Sequence, residues 1–233
     1  MSRNIYLQCL VEGRTEKRFI DEVLAPYLAP KGVFVGASET TTSSGKIRHK
    51  GGDIRFARMK REIAIFLKQR PDLYVSTFVD YYGIREWPGK DRVPSNATTV
   101  QIADILNSSA ISEMMQEEPM LNCEKRYIPF LAVHEFEALL FSAPDILARE
   151  ICVPQSSVEA VLEECGSPEQ INKGIDTAPS KRIVALAKVP YHKATNGVYI
   201  AKLITIDAIR AQCPLFDSWV KKIESLTESF NGC

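Results

Sequence analysis

Five carboxylates stand where apolar runs give way to polar turns, and their spacing could do chemistry. Glu12 closes Leu7-Gln8-Cys9-Leu10-Val11, and Glu16 follows four residues later. Asp80 closes Leu73-Tyr74-Val75-Ser76-Thr77-Phe78-Val79, and Glu135 and Glu137 follow the apolar run that ends at Val133. Carboxylates gathered at one place repel one another unless a cation or a proton lies between them. Magnesium and other hard cations take oxygen ligands, typically one or two protein carboxylates with water and substrate phosphate. Such a group is suited to phosphodiester chemistry, where the ion activates water and stabilises the leaving oxygen. Each junction alone also fits a plain turn, with Glu16 a favourable charge at a helix N-terminus.

The elements that must position these residues follow from periodicity. Asn4 to Val11, Val33 to Val35, Leu73 to Val79 and Arg126 to Val133 read as strands. Thr15 to Leu28, Asp53 to Gln69 and Ala97 to Gln116 read as helices. Strands alternating with helices predict a parallel sheet, and the carboxyl ends of its strands are where such sheets place ligands. Past Ser142 the pattern is wholly helical, with helices expected at 144–150, 155–164, 180–188, 198–213 and 215–226. The expected fold class is α/β, with a Rossmann-like domain over 1–141 and a helical C-terminal extension over 142–233 packed on it.

His134-Glu135-Phe136-Glu137-Ala138-Leu139-Leu140-Phe141 reads as a short helix. Two residues apart on a helix means roughly 200° apart, so Glu135 and Glu137 cannot both face one site. Glu135 is nearer the strand end. Glu137 shares its side with Leu140 and Phe141, where a charge is costly without a partner, and this favours Glu137 as the one that completes the cluster. His134 reads as a hydrogen-bonded structural histidine before a general base. Tyr81 and Tyr82 could stack on bases, with packing expected for at least one of them.

Lysine plus arginine and aspartate plus glutamate each number 29, so the net charge is zero and bulk charge does not coat nucleic acid. Between Lys46 and Arg61, however, seven basic residues face one acidic residue, Asp53. Lys46, Arg48, Lys50, Arg55 and Arg58 are the candidates for a polyanion contact, and the Ser38 to Gly52 stretch reads as a mobile loop. The six cysteines form no CxxC pair, which predicts reduced thiols in the cytoplasm. No apolar run reaches the length of a membrane span, no signal-peptide layout is present, and no glycine-rich phosphate loop marks an NTPase.

Three blocks carry a resemblance: Val11-Glu12-Gly13-Arg14-Thr15-Glu16, Phe78-Val79-Asp80-Tyr81-Tyr82-Gly83 and the HEFEALLF run from His134 to Phe141. With Ala178-Pro179-Ser180-Lys181-Arg182, Tyr191-His192-Lys193 and Ile209 to Pro214, they resemble, over nearly the whole chain, a bacterial family of unknown function. That family is similar to TOPRIM-like proteins of the OLD-nuclease type. The resemblance implies a TOPRIM-like sheet and magnesium- or manganese-dependent cleavage of DNA or RNA in phage defence, beside an ABC- or AAA-type ATPase. It matches Glu12 to the glutamate after the first TOPRIM strand, Glu16 to the second acid of the EGxxE form, and Asp80 to the first aspartate of Asp-x-Asp. Tyr82 stands where the second aspartate would be, so Glu135 or Glu137 would have to replace it. The metal set expected is Glu12, Asp80 and Glu137, with Glu16 a further ligand or the base that orients water. The rival reading is a degenerate subunit that binds an ATPase or nucleic acid and cuts nothing.

Overall fold

The computed structural model describes residues 4–40, 54–171 and 177–227. In chain order the strands are β1 (Ile5–Val11), β2 (Val33–Glu39), β3 (Ile54–Arg55), β4 (Leu73–Asp80), β5 (Ile84–Arg85) and β6 (Tyr127–Ala132). The first helices are α1 (Arg14–Phe19), α2 (Ala25–Leu28), α3 (Phe56–Gln69), α4 (Thr99–Glu117) and α5 (Cys123–Arg126). The C-terminal part holds α6 (Pro144–Glu150), α7 (Gln155–Cys165), α8 (Pro179–Leu186), α9 (Val198–Ile204), α10 (Ile206–Gln212) and α11 (Pro214–Glu224). α1 and α2 form one rod, joined by a π-helical turn at Ile20–Leu24.

Four strands form a parallel sheet in the order β2-β1-β4-β6, while β3 and β5 pair in parallel as a separate two-stranded piece. Both faces of the sheet are covered, as parallel sheets require. One face packs Leu7, Cys9, Val11, Phe78 and Phe130 against α1 and the C-terminal helices. The other packs Leu10, Val75, Val79 and Leu131 against α3 and α4. This is the α/β architecture that the alternation predicts, with helices flanking a parallel sheet and more helices behind it.

The C-terminal helices are tied into the sheet by a specific polar contact. Ser76, with no solvent exposure, donates from Oγ to the Ile128 carbonyl at 2.6 Å and accepts from Trp219 Nε1 at 3.0 Å. Trp219 also stacks on Phe130, with ring centroids 4.6 Å apart. A serine mid-strand thus has both a donor bond and an acceptor bond inside the core.

Three local departures from the expected elements have physical causes. β2 runs to Glu39 rather than Val35, because β1 offers a ladder partner as far as Val11↔Glu39 and the backbone takes it despite polar side chains. Ser38 and Glu39, expected in the loop, thus belong to β2, and the Thr40 N–H still donates to the Val11 carbonyl at 2.9 Å; the rest of the expected loop, to Gly52, lies outside the described residues. The expected helix over 198–213 breaks at Thr205, which has φ 75°; its Oγ1 accepts from Ala208 N at 3.5 Å and starts α10. The HEFEALLF run is a 3-10 helix, Phe136–Ser142, with all seven residues buried. Tertiary packing on every side holds that tighter winding. Among the described residues no helix is long and apolar enough to cross a membrane. Cys9, Cys123, Cys165 and Cys213 are buried free thiols, and Cys152 is exposed and free.

Candidate active site

Parallel register delivers the carboxylates to one edge of the sheet. Val11 of β1 lies opposite Phe78 of β4, and Asp80 lies opposite Ala132 of β6. Glu12 just past β1, Asp80 at the end of β4 and the His134-Glu135 pair just beyond β6 therefore emerge at the same edge. After β1 the chain turns at Gly13, whose carbonyl accepts from Lys17 N at 3.0 Å, and Glu16 falls in the first turn of α1. After β4 the chain turns tightly: Asp80 Oδ1 accepts from Tyr82 N at 2.8 Å and the Asp80 carbonyl from Gly83 N at 3.0 Å.

That turn explains the glycine of the Asp-Tyr-Tyr-Gly block. A Cβ on Gly83 would lie 2.5 Å from Glu12 Oε2 and 2.8 Å from Oε1, so only a bare Cα lets the carboxylate lie against this backbone. Gly83 is required by close approach rather than by a special dihedral.

The electrostatics mark Asp80. Burial, with the negative charges of Glu12 and Glu135 added, pushes its carboxyl from 3.8 up to about 7, against the Tyr82 N–H and the Lys193 ammonium, which favour the anion. Glu135 is itself engaged: its Oε2 accepts from Ser180 N at 3.0 Å, at the N-terminus of α8. Burial pushes Glu137, which has no solvent exposure, from 4.5 up to about 7 even though Lys193 Nζ stands 3.0 Å from its Oε2. The contact is an ion pair without hydrogen-bond geometry, and neither oxygen of Glu137 has a hydrogen-bond partner among the described residues. The same Nζ is 3.6 Å from Glu16 Oε1. Burial alone would lower Lys193, but Glu137, Glu16 and Glu135 outweigh it and hold the ammonium above its usual value.

Lys193 opens a single π turn, Lys193–Gly197, of the kind often found at functional positions. Arg18 of α1 pins that turn by donating to the Ala194 carbonyl. Tyr191 comes with it: burial, Glu137 and Glu135 raise its hydroxyl, which has no hydrogen-bond partner among the described residues. His134 is 6% exposed. Burial lowers it to about 4, against a nearby Glu169 carbonyl, so it is neutral at pH 7.

The structure thus places Glu12 and Asp80 together, and Glu16 and Glu137 around Lys193. Among the described residues no three His, Cys, Asp or Glu side chains converge as a ready metal cage. The donor set nonetheless fits a hard divalent cation. It is all oxygen, Asp80 is disfavoured as an anion by burial first and then by its like-charged neighbours, and magnesium needs only one or two protein carboxylates. Of the basic candidates, Arg55 is exposed on β3, 3.6 Å from Glu86, and Arg58 lies on α3. Lys46, Arg48 and Lys50 lie outside the described residues. The sequence reading gave no role to Lys193 or Tyr191. The one signal for them was the cost of burying Glu137, which demanded a cation from somewhere.

Residues 11–224 match the family described as Domain of unknown function (DUF4276). The chain belongs to the DUF4276 family. In this DUF4276 chain every residue of the cluster, from Glu12 to Lys193, lies inside the matched stretch. No curated protein matches the chain. Among solved structures it is similar to the C-terminal region of the Xanthomonas campestris pv. campestris OLD protein. The two share 14% identity over 97% of this chain and 98% of that one, with a TM-score of 0.43.

Proposed function

We propose that this chain hydrolyses phosphodiester bonds in nucleic acid, with magnesium or manganese held by Glu12 and Asp80. The observation that carries the reading is Asp80, a strand-end carboxylate raised to about 7 by burial and by two neighbouring carboxylates. Carboxylates gathered at this cost favour a proton or a cation between them. When bound, the ion supplies Lewis-acid stabilisation to a phosphoryl oxygen.

The chain's own residues do the rest. Glu12 is kept in place against Gly83, and Asp80 is oriented by the Tyr82 N–H. Glu137 and Glu16 hold Lys193, whose ammonium offers a positive charge near Asp80, the sign that an incoming phosphodiester requires. In this assignment Glu137 acts through Lys193 and is not itself a metal ligand, while Glu16 stays within reach to orient water. Arg55 and Arg58, with Lys46, Arg48 and Lys50, hold the phosphate backbone. An ATPase partner and a role in phage defence remain part of the proposal through the resemblance of the three sequence blocks.

One observation favours the rival. Lys193 already neutralises two of the carboxylates, and Tyr82 stands in the place of a further acid. A subunit that binds an ATPase or nucleic acid without cutting it has the same features. Incubating labelled DNA and RNA with magnesium or manganese, using the wild type and Glu12→Ala, separates the two. Metal-dependent cleavage that Glu12→Ala abolishes supports the nuclease, and no cleavage by the wild type supports the rival.

A further inference from the structure

Tyr82 has an environment unlike that of its neighbour. Tyr81 is partly buried against the second core, with Lys90 Nζ 5.4 Å from its ring centroid. Tyr82 is 58% exposed, a large ring standing in solvent at the rim of the acidic cluster. Its ring lies nearly parallel to that of buried His134, at 6.4 Å between centroids and 24° between planes. The Tyr81 ring meets it edge-on at 5.3 Å and 81°. Both distances fall within the range of favourable aromatic pairs. The Tyr82 ring is therefore supported by two aromatic neighbours while more than half of the residue stays open to solvent. Its backbone N–H is bonded to the Asp80 carboxylate at 2.8 Å, so the ring springs from backbone held against that carboxylate.

We infer that Tyr82 is a stacking platform for an unpaired base, so that the site takes single-stranded nucleic acid or a frayed end before intact duplex. The inference rests on the proposed function for the identity of the ligand. A base stacked on the exposed part of the Tyr82 ring brings its own phosphates toward Asp80 and Glu12. In a duplex interior both faces of a base are already stacked, and freeing one costs unstacking and unpairing. Stacking on an aromatic side chain works for any base, because every base has a π-face. It also supplies affinity that a chain of zero net charge does not gain from bulk electrostatics. The bland role is that Tyr82 only shields His134, and any apolar side chain of similar reach would do that.

The test uses the full chain and a 12-nucleotide strand carrying 2-aminopurine, single-stranded or annealed, in EDTA and again in calcium. The wild type should bind the single strand at least tenfold tighter than the blunt duplex and quench the probe. Tyr82→Leu, which still covers His134, should lose about tenfold in single-strand affinity and the quenching, with duplex binding unchanged. Tyr82→Phe should keep both, and melting temperatures confirm that the variants fold. Equal affinity for single strand and duplex, no single-strand binding in either buffer, or wild-type binding by Tyr82→Leu would overturn the inference. If the expected pattern appears but magnesium produces no cleavage, the platform stands and the nuclease reading falls. Cleavage with no dependence on Tyr82 gives the reverse.

Discussion

The ammonium of Lys193 stands 3.0 Å from Oε2 of Glu137, a carboxylate with no solvent exposure that is raised to about 7. A buried pair of this kind contributes little over an apolar pair, but removing one partner strands the other. The two halves are not equivalent. Lys193 is 39% exposed and can turn to Glu16 or to water, whereas Glu137 has nowhere else to go.

Lys193→Met should therefore cost more than Glu137→Gln. After discounting for the exposed lysine, we expect about 2 kcal/mol for Lys193→Met, or roughly 4–8 °C in melting temperature, and less than half of that for Glu137→Gln. Thermal melts at pH 7.5 decide the matter. Equal losses, or a neutral Lys193→Met, would mean that the pair is not formed in solution.

The raised Asp80 carboxyl makes stability depend on pH in a defined direction. Between about pH 4 and pH 7 the folded chain keeps a proton on Asp80 that the unfolded chain has already released. That contribution is fully present below the unfolded value and is lost as pH rises through the folded one. Without metal, the melting temperature should fall from pH 5 to pH 8, with Glu137 adding to the fall and His134 opposing it below about pH 6.5, and Asp80→Asn should make the fall shallower. Magnesium added at pH 8 should raise the wild-type melting temperature and leave Asp80→Asn unmoved. A melting temperature that climbs across this window in the metal-free wild type would contradict the assignment.

Gly83→Ala probes the geometry from the other side. The new Cβ would meet the far end of the flexible Glu12 side chain, not backbone, so the chain can adjust by moving that carboxylate. Its melting temperature should stay within about 2 °C of wild type, roughly the cost of a small surface change. Manganese affinity should nevertheless fall at least fivefold. A variant that binds manganese as well as wild type would show that Glu12 need not lie against this turn.

Much of this arrangement was legible in the sequence, and the limits are physical. Strand ends at Val11 and Asp80 followed from apolar runs broken by acid and glycine, and parallel pairing brought Glu12 and Asp80 to one edge. That Glu135 and Glu137 cannot both face one site was argued on α-helical spacing, but Glu135 precedes a 3-10 helix, Phe136–Ser142, with about 120° per residue, so that geometry does not apply. The physical half of that argument holds: Glu137 is buried and has a cation beside it. The cation is Lys193, 56 positions on by residue number, on a π turn held by Arg18, and no local pattern announces such a long-range contact. The glycine of the Asp-Tyr-Tyr-Gly turn likewise acquires its reason only when Glu12 is seen against it.

The central claim is that Glu12 and Asp80, and not Glu137, hold the cation. Manganese titrated into the wild type, Glu12→Ala, Asp80→Asn and Glu137→Gln, followed by the loss of free-ion EPR signal, tests it most directly. We predict one site in the wild type, lost in Glu12→Ala and Asp80→Asn and kept within about threefold in Glu137→Gln, a change of roughly 0.7 kcal/mol or less. Undiminished binding by Glu12→Ala, or loss in Glu137→Gln equal to that in Asp80→Asn, would contradict the account.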